Sequence, residues 1–203
     1  MFKKINDFCD QISKDFDSIS IERKEILKKI AVYVQQKKDA NDNINLVYIC
    51  THNSRRSHFG QVWASVAANY YHLKQVNAFS GGTEVTAFNP NAIAALQQIG
   101  FIVENDNTNN NPLHKVFYTD ELFATCFSKV YDVVVNPNTN FAAIMTCGNA
   151  EKNCPYIPNT DLRIATTYTD PKTSDNTPLQ NETYYLRCKQ IATEVFYVFS
   201  LIK

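Results

Sequence analysis

The segment that most constrains this chain is Leu46-Val47-Tyr48-Ile49-Cys50 running into Thr51-His52-Asn53-Ser54-Arg55-Arg56-Ser57. The short apolar run suits a strand buried on both faces. After it, Ser57–Tyr71 carries Phe59, Val62, Trp63, Val66 and Tyr70 at helical spacing. A cysteine, five residues, an arginine and a hydroxyl residue therefore stand at a strand-to-helix junction. In so tight a turn successive backbone N–H groups converge, and the helix N-terminus adds partial positive charge. Arg56 supplies a planar fork for two oxygens of an oxyanion. The same field favours a thiolate at Cys50, to which Ser57 can donate. The competing reading is a buried strand-end cysteine followed by a basic helix start.

The rest of the chain alternates strand and helix. Asn77–Ser80 reads as a second strand ending at Gly81-Gly82. Asn89-Pro90 caps a helix with Ile93 and Leu96 turned inward and Gly100 at its end. Phe141–Cys147 and Leu162–Tyr168 are further strands, and Asn181–Ile202 is a helix with Tyr184, Cys188, Ile191, Val195, Phe199 and Ile202 on one face. This order predicts an α/β fold in three layers, a parallel four-stranded sheet with helices on both faces, and binding at the carboxyl ends of the strands. Residues 1–43 read as an amino-terminal helical extension, with Phe2, Ile5, Phe8, Ile12 and Phe16 on one stripe and Ile26, Leu27, Ile30 and Val34 on the next. Those stripes must be buried, on the main domain (44–203) or on a second copy. Within that domain, 103–140 reads as an insertion with an Asn-rich run and a β-hairpin over Lys115–Val130 that turns near Thr119-Asp120.

Twenty acidic residues balance twenty basic ones. That balance removes the strong attraction expected of a nucleic-acid binder or of a protein held on anionic lipid. No apolar run approaches the roughly 18 residues of a membrane span, and the polar start lacks a signal-like stretch. The sequence thus reads as soluble and cytoplasmic, with neither nucleic acid nor membrane as partner. Six cysteines, at 9, 50, 126, 147, 154 and 188, are thiols, ligands or catalytic groups in a reducing compartment. Cys147 and Cys154 lie too far apart for a zinc knuckle and have no His pair nearby, so neither a metal nor a cofactor is expected. They read as two independent thiols or as a redox relay. Cys9, Cys126 and Cys188 read as packing.

The loop resembles the phosphate loop of the low-molecular-weight protein tyrosine phosphatases and of their relatives, the thioredoxin-coupled arsenate reductases. Ser80-Gly81-Gly82-Thr83-Glu84-Val85, Asn89-Pro90-Asn91-Ala92-Ile93 and Asp170-Pro171 are similar to later stretches of that family. The resemblance covers 45–102 and 141–202, and departs at His52, where the family usually has glycine. It implies Cys50 as nucleophile, Arg56 and the loop residues Thr51, His52, Asn53, Ser54, Arg55 and Ser57 as the oxyanion site, and Asp170 as general acid. Thr146-Cys147 and Cys154-Pro155 resemble the second and third cysteines of the reductase branch, which implies thioredoxin as reductant. Lys172-Thr173-Ser174 after Asp170-Pro171 brings no aromatic ring, which favours a small oxyanion over phosphotyrosine. Tyr168 remains a candidate wall, and Arg55 is expected to be a solvated surface arginine or to add charge at the mouth. Two alternatives stand beside the reductase. One is a phosphatase acting on phosphotyrosine or a small phosphomonoester through a phosphocysteine; the other is a non-catalytic anion-binding protein.

Overall fold

The computed structural model describes residues 1–107, 109–153 and 156–203. Two helices come first, α1 (Lys3–Ile12) and α2 (Ile21–Asp39), joined by a single 3-10 turn at Phe16–Ser18. Strand β1 (Ile44–Cys50) follows, with only Asn45 less than buried, and then α3 (Arg56–Tyr70), β2 (Val76–Gly82) and α4 (Pro90–Ile99). Three short strands, β3 (Ile102–Asn105), β4 (His114–Phe117) and β5 (Phe123–Cys126), precede β6 (Phe141–Met145). The chain closes with α5 (Gly148–Asn153), β7 (Thr160–Ala165) and α6 (Gln180–Ser200).

The main sheet is parallel, in the order β2-β1-β6-β7. Pairing runs from Ile44↔Val76 to Cys50↔Gly82 on one side of β1 and from Leu46↔Ala142 to Ile49↔Met145 on the other. The chain leaves β1 first to one side and later returns on the other. The crevice at the end of β1, where Cys50 sits, is therefore the topological switch point at which such sheets bind ligands.

Alternate residues of the strands feed two cores. Leu46, Tyr48, Ala142, Ile144 and Ile164 join Phe59, Trp63, Leu96, Tyr184 and Phe196 in the larger one. Val47, Ile49, Ala143 and Met145 join Ala150 and Ile157 in a smaller one. The two faces are thus covered unequally: the long helices crowd one, and the six-residue α5 is the helix that packs on the other. Gly60 lets α3 approach β1 closely, because a Cβ there would lie 2.2 Å from the Tyr48 ring.

The helical extension docks on this body. Ile5, Phe8, Cys9 and Ile12 of α1 and Leu27, Ile30, Ala31, Tyr33 and Val34 of α2 are buried in the larger core. Phe8 stacks on Trp63 with ring centroids 5.2 Å apart, and the Tyr70 hydroxyl donates to Asp10 at 2.7 Å.

The inserted hairpin is present as β4 and β5, but it is not alone. β3 adds antiparallel to β4, from Ile102↔Phe117 to Asn105↔His114, and makes a three-stranded sheet. β3 was missed because it is four residues long and mostly exposed. The hairpin turn is as expected, with Thr119 Oγ1 accepting from the N–H groups of Glu121 and Leu122. With only five glycines in the chain, left-handed turns fall to asparagine. Six of the seven non-glycine residues with positive φ among the described residues are Asn41, Asn53, Asn107, Asn140, Asn159 and Asn176. No helix of the described residues is long and apolar enough to cross a membrane.

Because α1 shares the main core, Ile12→Ala should cost about 2–5 kcal/mol of global stability. Urea unfolding followed by tryptophan fluorescence and by circular dichroism should stay coincident. Two separated transitions would mean that the extension folds apart from the sheet.

Candidate active site

β1 ends at Cys50, and residues 51–55 turn the chain into α3. Asn53 makes that turn possible with φ +43°, a conformation asparagine tolerates better than most residues. Its side chain is buried and locks the loop: Nδ2 donates to Ser57 Oγ at 2.9 Å, and Oδ1 accepts from the Lys129 N–H at 3.0 Å. Ser54 ties the far side, with its hydroxyl on the Ala87 carbonyl at 2.7 Å and its own carbonyl accepting from Asn89 N at 3.0 Å. Gly82 closes the back. A Cβ there would come within 2.6 Å of the Thr51 oxygen and 2.7 Å of the Asn53 nitrogen.

With the loop held from outside, its inner donors are left over. Among the described residues no protein hydrogen bond uses the main-chain N–H of Thr51, His52, Asn53, Ser54, Arg55 or Arg56. Arg56 has further donors in hand. Nη1 donates to the Tyr168 carbonyl at 2.8 Å and Nη2 to Asp170 Oδ2 at 2.6 Å, while Nε is buried without a partner. Ser57 Oγ lies 3.1 Å from Cys50 Sγ. That oxygen also accepts from Asn53, and it keeps a proton that it can give to the sulfur. Cys50, its hydroxyl donor, the open amides and the arginine are thus brought together.

Asp170 sits over the loop at the start of the Pro171–Ser174 turn, where Oδ1 accepts from the Lys172 N–H at 3.1 Å. His52, at the family's glycine position, turns its side chain out to Glu84, with Nε2 3.4 Å from Oε2. The loop accommodates that side chain without a positive φ at this residue. Arg55 is not a solvated surface arginine. Its side chain is 11% exposed and donates from Nε to the Tyr184 hydroxyl at 2.8 Å, with Asp175 at 3.8 Å. Tyr184 and Asp175 carried no sequence signal for this role, since Tyr184 read as one residue of the apolar stripe on α6. Tyr168 is not a wall of the mouth either; its ring is buried, and its contribution is the carbonyl that holds Arg56.

The mouth itself is a cleft of about 300 Å³ lined by His52, Ser54, Arg55, Phe88, Asn89 and Lys172. Phe88 is its single aromatic residue, and its ring is taken up by His58 at a centroid distance of 4.2 Å. Among the described residues no aromatic pair lines the cleft to sandwich a phenyl group.

Cys147 follows β6 beside this loop. Its sulfur is 3.3 Å from Thr51 Oγ1 and accepts from the Ala150 N–H at 3.3 Å. Cys154, the expected third thiol, lies outside the described residues. The other cysteines are elsewhere. Cys9, Cys126 and Cys188 are fully buried, and burial pushes each thiol up to about 12. No cluster among the described residues has the makings of a metal site.

No family model matches the chain. An arsenate reductase 2 of Staphylococcus epidermidis is 28% identical over 120 residues, 58% of this chain and 70% of that protein. The solved low-molecular-weight phosphotyrosine phosphatase of Vibrio cholerae O395 superposes with a TM-score of 0.54 at 11% identity, over 78% of this chain and 95% of that one. A solved arsenate reductase in its phosphate-binding state does so at 0.54 and 16%, over 79% of this chain and 99% of that one. The chain shares the fold of the low-molecular-weight protein tyrosine phosphatases and is similar in sequence to curated arsenate reductases. In this chain the strand-end Cys50 and Arg56, six residues on, are both in place, and His52 stands between them.

Two measurements follow from these environments. Iodoacetamide at pH 8 should leave Cys9, Cys126 and Cys188 unmodified in the folded protein while Cys50 reacts, as read by peptide mass spectrometry. His58 gives the second. It is fully buried in the first turn of α3, with Nδ1 3.2 Å from Ser80 Oγ. Burial first, and the nearby Lys129 charge second, hold it well below the ordinary histidine value. The folded state therefore binds fewer protons than the unfolded chain, so stability is full above about pH 6.5 and falls as the pH drops below it. The melting temperature should fall from pH 7 to 5.5, and His58→Gln should flatten that slope.

Proposed function

We propose that this protein is an arsenate reductase that passes oxidation through Cys50, Cys147 and Cys154 to thioredoxin. The observation that carries the reading is the place of Cys147, in contact with Thr51, the neighbour of Cys50. A phosphatase has no use for a thiol there. The curated relatives bearing the name arsenate reductase support the same choice, and so does a mouth with no phenyl slot.

Arsenate binds to the loop amides and Arg56, and the Cys50 thiolate attacks arsenic. Asp170 starts as the ion-pair partner of Arg56. Drawing that guanidinium onto the arsenate oxygens frees the carboxylate, which takes up a proton from solvent and passes it to the departing oxygen. The Cys147 thiolate attacks Cys50 Sγ, and the sulfur–arsenic bond breaks with its electron pair going to arsenic. Arsenite leaves, and a 50–147 disulfide remains. Cys154 attacks Cys147, returns the Cys50 thiolate and forms a 147–154 disulfide, which a dithiol of the thioredoxin type reduces with two electrons.

Arsenate turnover with thioredoxin, thioredoxin reductase and NADPH, run beside aryl phosphate hydrolysis, tests the reading. Cys50→Ser should abolish both activities. Cys147→Ser should stop reduction before arsenite leaves, and Cys154→Ser should allow one turnover and halt at a 50–147 disulfide visible by mass spectrometry. Neither of these two changes should much affect aryl phosphate hydrolysis. If Cys154→Ser cycles like the wild type, the relay is wrong. Hydrolysis with no thioredoxin-dependent turnover would make the protein a phosphatase working through a Cys50 phosphocysteine.

A further inference from the structure

The helical extension lies outside the stretches that resemble the family, yet one of its side chains reaches the hydrogen bonds that hold Arg56. Ser20 caps α2 by accepting from the Arg23 N–H at 3.2 Å, which fixes the first turn. From that turn the Arg23 side chain, 18% exposed, runs to Glu194 of α6, whose side chain is 5% exposed. Nε and Nη2 of Arg23 both lie 2.8 Å from Glu194 Oε2. The Tyr168 hydroxyl donates to that same oxygen at 2.8 Å, and the Arg23 guanidinium covers the Tyr168 ring at 4.8 Å from its centroid. Gln190 occupies the other carboxylate oxygen at 3.3 Å.

Tyr168 is thereby gripped at its ring and hydroxyl. Its main chain is gripped too, since its N–H donates to the Thr146 carbonyl at 3.1 Å and its carbonyl accepts from Arg56 Nη1 at 2.8 Å. Two residues on comes Asp170, the other group on the Arg56 fork. The segment between β7 and Pro171 thus supplies both anchors of the arginine, and Arg23 and Glu194 fix that segment from the side away from the loop.

We propose that Arg23 of the amino-terminal extension is a positioning residue for the active site, setting Arg56 and Asp170 through Glu194 and Tyr168. The extension completes the oxyanion site by holding its arginine in place. This rests on the oxyanion reading of the loop and is independent of whether the chemistry is reduction or hydrolysis.

The test is the affinity for inorganic phosphate, read as protection of Cys50 from iodoacetamide, together with kcat and KM for an aryl phosphate or arsenate. Arg23→Met should weaken phosphate binding and lower kcat/KM by about 10- to 100-fold, the scale on which small misplacements of a site act. Arg23→Lys, which keeps the charge on Glu194, should recover part of the loss. Arg23→Met leaves a buried carboxylate unpaired and lowers stability on that account alone. The double variant Arg23→Met with Glu194→Leu removes the unpaired charge, and should recover part of the lost melting temperature while its phosphate affinity stays low. A double variant that binds phosphate like the wild type would overturn the inference, as would an unchanged affinity in Arg23→Met. Phosphate and arsenate failing to protect Cys50 in the wild type would overturn the oxyanion reading, and the inference with it.

Discussion

The guanidinium of Arg56 is the group on which the site turns. Its two terminal nitrogens are held by a main-chain carbonyl and a carboxylate from the segment after β7, and its Nε is left buried and unpaired. A buried donor without an acceptor is costly, and in the proposed function the cost is met when an oxyanion enters. The same logic governs the loop amides. Loop, strand ends and β7 exit therefore have to be built to one tolerance, since an arginine fork grips two oxygens only when its plane is fixed.

That tolerance explains the unequal architecture. The face bearing the long helices carries the larger core, and the segments that determine the site are tied down by hydrogen bonds: Asn53 to Lys129, Ser54 to Ala87 and Asn89, Tyr168 to Glu194. The smaller face, with α5 as its helix, borders Cys147. The proposed relay would thus act on the side with less packing to undo.

Much of this was legible in the sequence, for identifiable reasons. The five-residue apolar run and the helical spacing after it placed Cys50 and Arg56 at a strand–helix junction, because burial patterns are local. β3 was invisible, since four mostly exposed residues gain their strand state from pairing with β4. Arg55 and Tyr168 were read without their distant partners: Arg55 lines the mouth but is held by Tyr184, and Tyr168 is drawn away from it by Glu194. Sequence spacing says nothing of contacts formed across 26 or 129 positions. The apolar stripes of α1 and α2 called for burial on the main domain or on a second copy without saying which, and the link from Arg23 to the site carried no signal, because an arginine in the first turn of a helix ordinarily reads as a solvated charge.

The asparagines in left-handed turns have a consequence for the chain before it folds. A glycine at each of these positions would enter the left-handed region without strain, but it would also give the unfolded ensemble more backbone freedom to lose, worth about 0.4–1 kcal/mol per site. With asparagine at Asn41, Asn53, Asn107, Asn140, Asn159 and Asn176, the disordered chain is stiffer at six bends that the native state needs. Part of what holds this fold together is thus a restriction on its competitor. At Asn53 the same choice also supplies an amide that glycine lacks, so the residue that bends the oxyanion loop is the one that bolts it to Ser57 and Lys129.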